Sequence, residues 1–354
     1  MRRSVYLIRH AMPDIPLGER WCVGGLTDLP LSHIGRLQAA LLPFVPELQG
    51  VTAVFCSTQR RAIETARPLC AAPRVIEGLH EQVMGVWDGL SFVEIKERFP
   101  LLYLAREEDP ALLPEGAEPL EDVRVRMLAG LRQCLDESQG DIAVISHRTA
   151  IATLTGHREL LTHTTISALE FNEDSFSVKE VGRKSDPPLD DAVCLALLNA
   201  AGADRNRIEH CRAVATLADT LCAALRDQGL RLDAENVHRA ALLHDIAKGH
   251  AEHAALGGVW LRELNHPDLA EIVRQHTEPD GTKLNEATLV FYADKLVSGD
   301  KRCTLQARFA ASLEKCKTAE ALAARARRRA AAEAVQNQIL SLCGEELLKQ
   351  EGIL

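Results

Sequence analysis

The sequence predicts an α/β domain over residues 1–182 and an all-α domain over 192–354, joined by a linker at 183–191. Three observations predict it. Up to about Val181, short apolar runs alternate with amphipathic stretches of helix length, as in a wound α/β sheet. The polar stretch "GRKSDPPLDD" then breaks the pattern, because Pro187 and Pro188 continue neither a strand nor a helix. From Ala192 onward, long segments at helical spacing are separated only by short polar gaps.

"VYLI" reads as the first strand, and Arg9 and His10 fall at its end. "LSHIGRLQAALLPFV" follows as a helix, then "VTAVFCS" as a strand. "TQRRAIETARPLC" is a second helix with Arg60 and Arg61 at its start. "PRVIEGL" is a third strand with Glu81 just beyond it, and "DIAVIS" is a fourth that ends at His147. "ISALEFNEDSFSVKEV" alternates with period two and reads as a hairpin closing the sheet, with Asn172, Glu173 and Asp174 as its turn.

The 354 residues, 46% hydrophobic, suffice for two cores. A net charge of −9 excludes a general nucleic-acid surface, so a phosphate-bearing ligand must be captured in a locally positive pocket. No two of the ten cysteines form a CxxC pair, and they read as reduced core residues. The first apolar run is too short for a signal peptide, and no segment approaches the roughly 18 apolar residues of a membrane span. The expectation is a cytoplasmic protein. "AARARRRAAAEA" reads as the solvated face of a helix.

Arg9, His10, Arg61, Glu81 and His147 all fall on one side of the predicted sheet, at strand ends where open α/β sheets bind ligands. Together they supply what phosphomonoester hydrolysis through a histidine requires. An imidazole must face phosphorus, cations must hold the phosphoryl oxygens, and an acid must protonate the departing alkoxide.

The segments "LIRHAMPD", "GLTDLPLSHIGRLQA", "CSTQRRAIETA", "LHEQVMGVWDG" and "VISHRTAI" resemble the histidine phosphatase superfamily, with its three-layer α/β phosphoglycerate mutase-like fold, over about residues 1–180. The resemblance implies His10 as the phosphorylated nucleophile, with Arg9, Arg61 and His147 binding the phosphoryl group. It makes Glu81 the general acid and then the activator of water, with no cofactor needed. Ala11 replaces the family's glycine after Arg-His, and Arg148 follows the second histidine where glycine is common, as a candidate substrate contact. The short interval between Glu81 and His147 leaves little room for the covering insertions of mutases and favours a phosphatase. "WCVGGLTDLPLSHIGRLQA" most resembles the α-ribazole phosphatase branch.

In the second half, His210, His244, Asp245 and Asp294 stand in apolar, helical surroundings. An adjacent His-Asp pair in "AALLHDIA" is costly to bury unless something compensates both groups, and a divalent metal does so. A set of imidazoles and carboxylates without thiolate suits iron, manganese or zinc. These residues resemble the HD phosphohydrolase superfamily over about 195–310. His253 and His276 occupy positions where two-metal members, including dinucleoside tetraphosphate hydrolases, place further ligands. Asp245 would then be shared between two ions, with His210, His244 and Asp294 on one and His253 and His276 on the other. Lys248, a helical turn beyond His244, is a candidate for holding substrate phosphate, whereas His250 is expected to be exposed.

The expected function is a bifunctional phosphohydrolase. The first domain would cleave a small phosphomonoester, and the HD domain a nucleotide-type ester or anhydride with one or two metals. The alternative is one active phosphatase regulated by a nucleotide- or metal-sensing HD domain. The expected partner is a small phosphorylated metabolite or nucleotide, with no nucleic-acid polymer and no membrane. A homodimer is the assembly left open.

Overall fold

The computed structural model describes residues 2–109, 111–172, 175–314 and 316–354. The chain divides after Pro187 into two units. Among the described residues, no helix is long and apolar enough to cross a membrane, and the ten cysteines are all free.

The first unit runs β1 (Arg3–Arg9), α1 (His33–Leu41), β2 (Ala53–Cys56), α2 (Arg60–Ala66), β3 (Arg74–Val75), α3 (Phe92–Arg98), α4 (Pro100–Glu108), α5 (Leu120–Asp136), β4 (Ile142–Ser146), α6 (Arg148–Thr155), β5 (Ile166–Phe171) and β6 (Phe176–Arg183). The strands form one six-stranded sheet in the order β3-β2-β4-β1-β5-β6. β4 lies between β2 and β1, parallel to both, and all five of its residues are buried. That is why "IAVIS" carries no polar alternation until its last residue.

Residues of alternate parity feed two cores. On one face, Val5, Leu7, Ile142 and Val144 pack with Met127 and Leu131 of α5 and Ile151 of α6. On the other, Ile8, Ala143 and Ile145 pack with Ala62 and Ala66 of α2 and with Leu42 after α1. Helices thus cover both faces of the sheet, in three layers. β1 and β4 are parallel and in register from Val5–Ile142 to Arg9–Ser146, so His10 and His147 leave the same sheet edge side by side.

β3 is shorter than "PRVIEGL" suggests: the strand ends at Val75 and a 3-10 turn follows at Glu77–Leu79. A Cβ on Gly78 would meet the Arg126 carbonyl at 2.7 Å, so this glycine permits the close approach of α5. β5 and β6 pair antiparallel. Of the expected turn between them, Glu173 and Asp174 lie outside the described residues.

The second unit contains α7 (Asp191–Ala200), α8 (Arg205–Asp227), α9 (Ala234–Leu243), α10 (His253–Glu263), α11 (Pro267–Arg274), α12 (Glu286–Lys295), β7 (Val297–Ser298), β8 (Lys301–Arg302), α13 (Leu305–Leu313), α14 (Ala319–Cys343) and α15 (Glu345–Gln350). Arg183 and Asp191, placed in the linker by the sequence, belong to β6 and α7. Asp190, Asp204 and Asp233 cap α7, α8 and α9 by accepting N–H bonds of the first turns. The unit departs from a purely helical prediction at one point, the two-residue hairpin β7–β8. The arginine-rich stretch lies in α14, where Arg327 pairs with Glu278 at 2.9 Å and Arg329 with Glu333 at 2.7 Å. Arg325 instead turns to the Phe309 carbonyl of α13.

Candidate functional site

In the first unit, the structure gathers Arg9, His10, Arg61 and His147 at the ends of β1, β2 and β4 with Glu81, which follows the 3-10 turn after β3, and all but Arg9 are buried. The His10 Nδ1 donates to the Ala11 carbonyl at 2.7 Å, which leaves Nε2 as the lone-pair nitrogen. The His147 ring centroid stands 5.0 Å from that of His10, and the Ser57 hydroxyl lies 2.6 Å from the His147 Nε2.

The two arginines are held by carbonyls and, among the described residues, carry no carboxylate partner. Arg61 donates to the carbonyls of Thr27 at 2.6 Å and Gly24 at 3.2 Å. Arg9 donates to the Leu161 carbonyl at 2.8 Å. The Nε of each is buried without a partner, which leaves donors for an anion. Burial first, and Arg148 second, lower the Arg9 guanidinium to about 9. Burial lowers Arg61 to about 10, so both remain charged near neutrality.

The glycine pair of "WCVGGLT" explains how Arg61 is held. Asp88 accepts from the Gly24 amide at 2.9 Å and from the Thr27 hydroxyl at 2.6 Å, turning the loop's carbonyls toward Arg61. A Cβ on Gly25 would meet the Glu81 carbonyl at 2.7 Å, so only glycine fits. Arg60, by contrast, faces outward and pairs with Glu64 at 2.6 Å.

Glu81 caps a helix it does not belong to. Its carboxylate accepts from the amides of Gln82 at 2.8 Å, Thr149 at 3.1 Å and Ala150 at 3.2 Å, the last two in the first turn of α6. Gln59, which the sequence did not single out, accepts from the Glu81 amide at 3.0 Å and donates to the Gly24 carbonyl at 2.9 Å. It ties the acid to the loop that holds Arg61.

A third imidazole was also missed. His163 lies 3.1 Å from Arg9 Nη2, with its ring centroid 5.7 Å from that of His10. The next residue, Thr164, has φ of 55°, a left-handed conformation that a β-branched residue adopts only when its surroundings impose it. The Thr164 amide donates to the Arg9 carbonyl at 3.0 Å, which locks this turn to the end of β1. "THTT" immediately before a strand is the only signal the sequence offers.

Burial, and then the charge of Arg61 or Arg9, holds His10, His147 and His163 well below the usual 6.5. The unfolded chain therefore binds protons that the folded unit excludes. That stability is present above the unfolded value and declines as the pH falls below it. The thermal midpoint of the first unit is expected to drop between about pH 7.5 and about pH 5.5; a midpoint that rises over this window would contradict the neutral assignment.

In the second unit, the structure brings together all six expected ligand candidates. One ligand atom each from His210, His244 and Asp294 lies within 4.8 Å of the others, and the same holds for Asp245, His253 and His276. Asp245 stands between the groups: Oδ2 lies 3.6 Å from His244 Nε2, and Oδ1 lies 3.5 Å from His253 Nε2 and 3.6 Å from His276 Nε2. His210, His244 and His276 each donate Nδ1–H to a main-chain carbonyl, of Gly299, Ala241 and Val273 respectively. Those bonds turn every Nε2 toward the carboxylates.

The Nε2 atoms of His244 and His276 are buried without a partner, and a divalent cation would satisfy them. Burial lowers His244 to about 4, keeping it neutral. Burial pushes the Asp245 carboxyl up, but His244, His276 and Lys248 outweigh it and hold it below the usual range. Neutral imidazole and ionised carboxylate are the forms that ligate metal, so the donor set fits the cation.

Two expectations change. α9 ends at Leu243, so His244 and Asp245 begin a turn; the His244 imidazole takes the Ala241 carbonyl that the helix end leaves open. Lys248 is therefore not on a continuing helix, and its Nζ sits 2.5 Å from Asp245 Oδ2. His250 is exposed, as expected.

Comparison with known proteins places both halves. The family model of the histidine phosphatase superfamily (branch 1) matches residues 5–187, and that of the HD domain matches residues 207–299. A Mycobacterium tuberculosis protein named as bifunctional is 30% identical over 154 residues, 42% of this chain and 42% of its own length. The match thus spans less than half of that relative. A glucosyl-3-phosphoglycerate phosphatase of Mycobacterium tuberculosis is 29% identical over 165 residues, 43% of this chain and 73% of the relative. Among solved structures, the native mycobacterial glucosyl-3-phosphoglycerate phosphatase is similar at 24% identity and a TM-score of 0.44, covering 52% of this chain and 100% of that one. With more than half its length matched by that family model, the chain belongs to the histidine phosphatase superfamily, and it carries an HD domain behind it.

Proposed function

We propose that the protein is a two-site phosphohydrolase. The first unit hydrolyses a small phosphomonoester through a phosphohistidine. The second hydrolyses a nucleotide-type phosphoester or anhydride with a divalent metal. The observation that carries the first half is the His10 imidazole, with Nδ1 committed to a carbonyl and Nε2 free, set between the half-buried Arg9 and the buried Arg61, neither of which has a carboxylate partner among the described residues.

In the first step, His10 Nε2 forms a bond to phosphorus as the bond to the ester oxygen breaks, and Glu81 gives that oxygen its proton. Arg9, Arg61 and His147 hold the three non-bridging oxygens, whose charge is then met by fixed donors. In the second step, water attacks phosphorus, Glu81 accepts its proton, and the P–N bond breaks to release phosphate and neutral His10. Arg148, at the start of α6, contacts the rest of the substrate. Glu81→Gln is expected to lower kcat for p-nitrophenyl phosphate by about 10²- to 10⁴-fold, the range of general acid catalysis. A wild-type rate in that variant removes Glu81 from the mechanism.

In the second unit, His210, His244, Asp245, His253, His276 and Asp294 would hold the metal, and Asp245 presents one carboxylate oxygen toward each group of ligands. When bound, the metal polarises the phosphoryl oxygen as a Lewis acid. The donor set suits iron, manganese or zinc. Lys248 orients Asp245 and presents its exposed ammonium to a substrate phosphate. Cleavage of a diester or anhydride leaves a phosphomonoester, the class of substrate that the first unit takes.

Purified protein is expected to contain metal and to cleave both p-nitrophenyl phosphate and bis(p-nitrophenyl) phosphate. A panel including α-ribazole phosphate and sugar phosphates then identifies the monoester branch by its kcat/KM values.

A further inference from the structure

The cavity that holds His10 encloses about 540 Å³ and is lined by five arginines: Arg9, Arg20, Arg106, Arg148 and Arg158. In the proposed reaction the phosphoryl dianion meets Arg9 and Arg61. Among the described residues, no carboxylate stands within 4.0 Å of the guanidinium of Arg20, Arg106, Arg148 or Arg158. Their contacts are neutral. Arg148 Nε donates to the Arg158 carbonyl at 3.0 Å, and Arg106 donates to the Leu112 carbonyl and lies 5.4 Å from the Trp87 ring centroid. Arg20 lies 4.8 Å from the Phe92 ring centroid.

These charges oppose one another. After burial, Arg158 is the leading cause that lowers Arg106 and Arg148, and it also lowers Arg9. Such a cluster costs free energy in the empty cavity and recovers it when an anion enters. Of the three carboxylates lining the cavity, Glu81 accepts from main-chain amides, Glu19 accepts from the Trp21 indole at 2.9 Å, and Glu107 is exposed and pairs with none of these arginines. Arg106 and Arg158 also line an adjoining cavity of about 370 Å³, together with Gln82 and Thr149, which are likewise shared. These two arginines therefore stand where the reaction cavity opens into a second compartment.

We infer that the substrate of the first site is a phosphomonoester bearing a second anionic group, carboxylate or phosphate, clamped by Arg106 and Arg158 while its phosphoryl group faces His10. This rests on the phosphatase reading of that site. The reacting end would sit between Arg9 and Arg61, and the second anion at the boundary of the two cavities. The separation of the two charged groups in the substrate is then fixed by the protein.

The test compares ω-carboxyalkyl phosphates of increasing methylene count with plain alkyl phosphates of equal length, using the full chain. The expected result is a kcat/KM preference for the carboxylated series that peaks at one chain length, at about ten- to a hundredfold, the range of a charge-assisted hydrogen bond. In Arg106→Gln/Arg158→Gln that ratio should fall toward equality. A preference of equal size at every length would show long-range attraction only and overturn the clamp, a result read on the wild-type protein without any variant. Equal hydrolysis of both series overturns the inference and leaves the phosphatase reading standing. Failure of the wild type to hydrolyse either series overturns both.

Discussion

Replacing His10 with alanine is expected to abolish phosphomonoester hydrolysis, by about 10⁴-fold or more, the scale of losing a nucleophile outright, while the metal content stays unchanged. The effect is large because no neighbour can substitute. His147 Nε2 lies 2.6 Å from the Ser57 hydroxyl, its partnerless Nδ1 is the nitrogen left for the phosphoryl oxygen in the proposed mechanism, and the His163 imidazole lies against Arg9 at 3.1 Å. His10 alone leaves a strand end with Nδ1 tied down and Nε2 free. Retained hydrolysis in His10→Ala, measured on p-nitrophenyl phosphate, would refute the assignment.

Asp245→Ala carries the second largest effect. It should lose metal together with cleavage of the diester or anhydride, and keep the His10-dependent monoesterase. Asp245 is the carboxylate both groups of ligands share: its Oδ2 is 3.9 Å from His210 Nε2 and 3.6 Å from His244 Nε2, and its Oδ1 faces His253 and His276. Removing it leaves the half-buried His253 and the buried His276 with no carboxylate in their group, and no anion between them and the group of His210, His244 and Asp294. Elemental analysis of the variant decides the point, and full metal occupancy would sink the proposed cage.

The α/β unit was legible because its strands are short, apolar and bounded by polar residues. "VYLIRH" and "IAVISH" both place a histidine at the first position past a buried strand, and parallel pairing in register brings the two together. The adjacent His244 and Asp245 were legible for the opposite reason, as polar residues in an apolar flank with nothing local to compensate them. What escaped depended on contacts between distant segments. Gln59 matters only because the "VGGLT" loop and Glu81 fold against it. His163 gains its place from a left-handed Thr164 that no pattern announces.

The hairpin β7–β8 is two residues on each side, too short for a periodicity, yet Gly299 at its turn supplies the carbonyl that orients His210. The end of α9 was misjudged because "ALLHDIA" is as apolar as a continuing helix; the His244 side chain, by taking the Ala241 carbonyl, stops it. Arg106 and Arg158 come from α4 and from the loop after α6, and only the folded cavity unites them.

The most direct test of two independent sites is hydrolysis of p-nitrophenyl phosphate and of bis(p-nitrophenyl) phosphate by one preparation, before and after chelation, with bound metal counted in parallel. The account predicts that removing the metal abolishes diester cleavage and leaves monoester hydrolysis at its original rate. Loss of both activities, or persistence of both in metal-free protein, would contradict it.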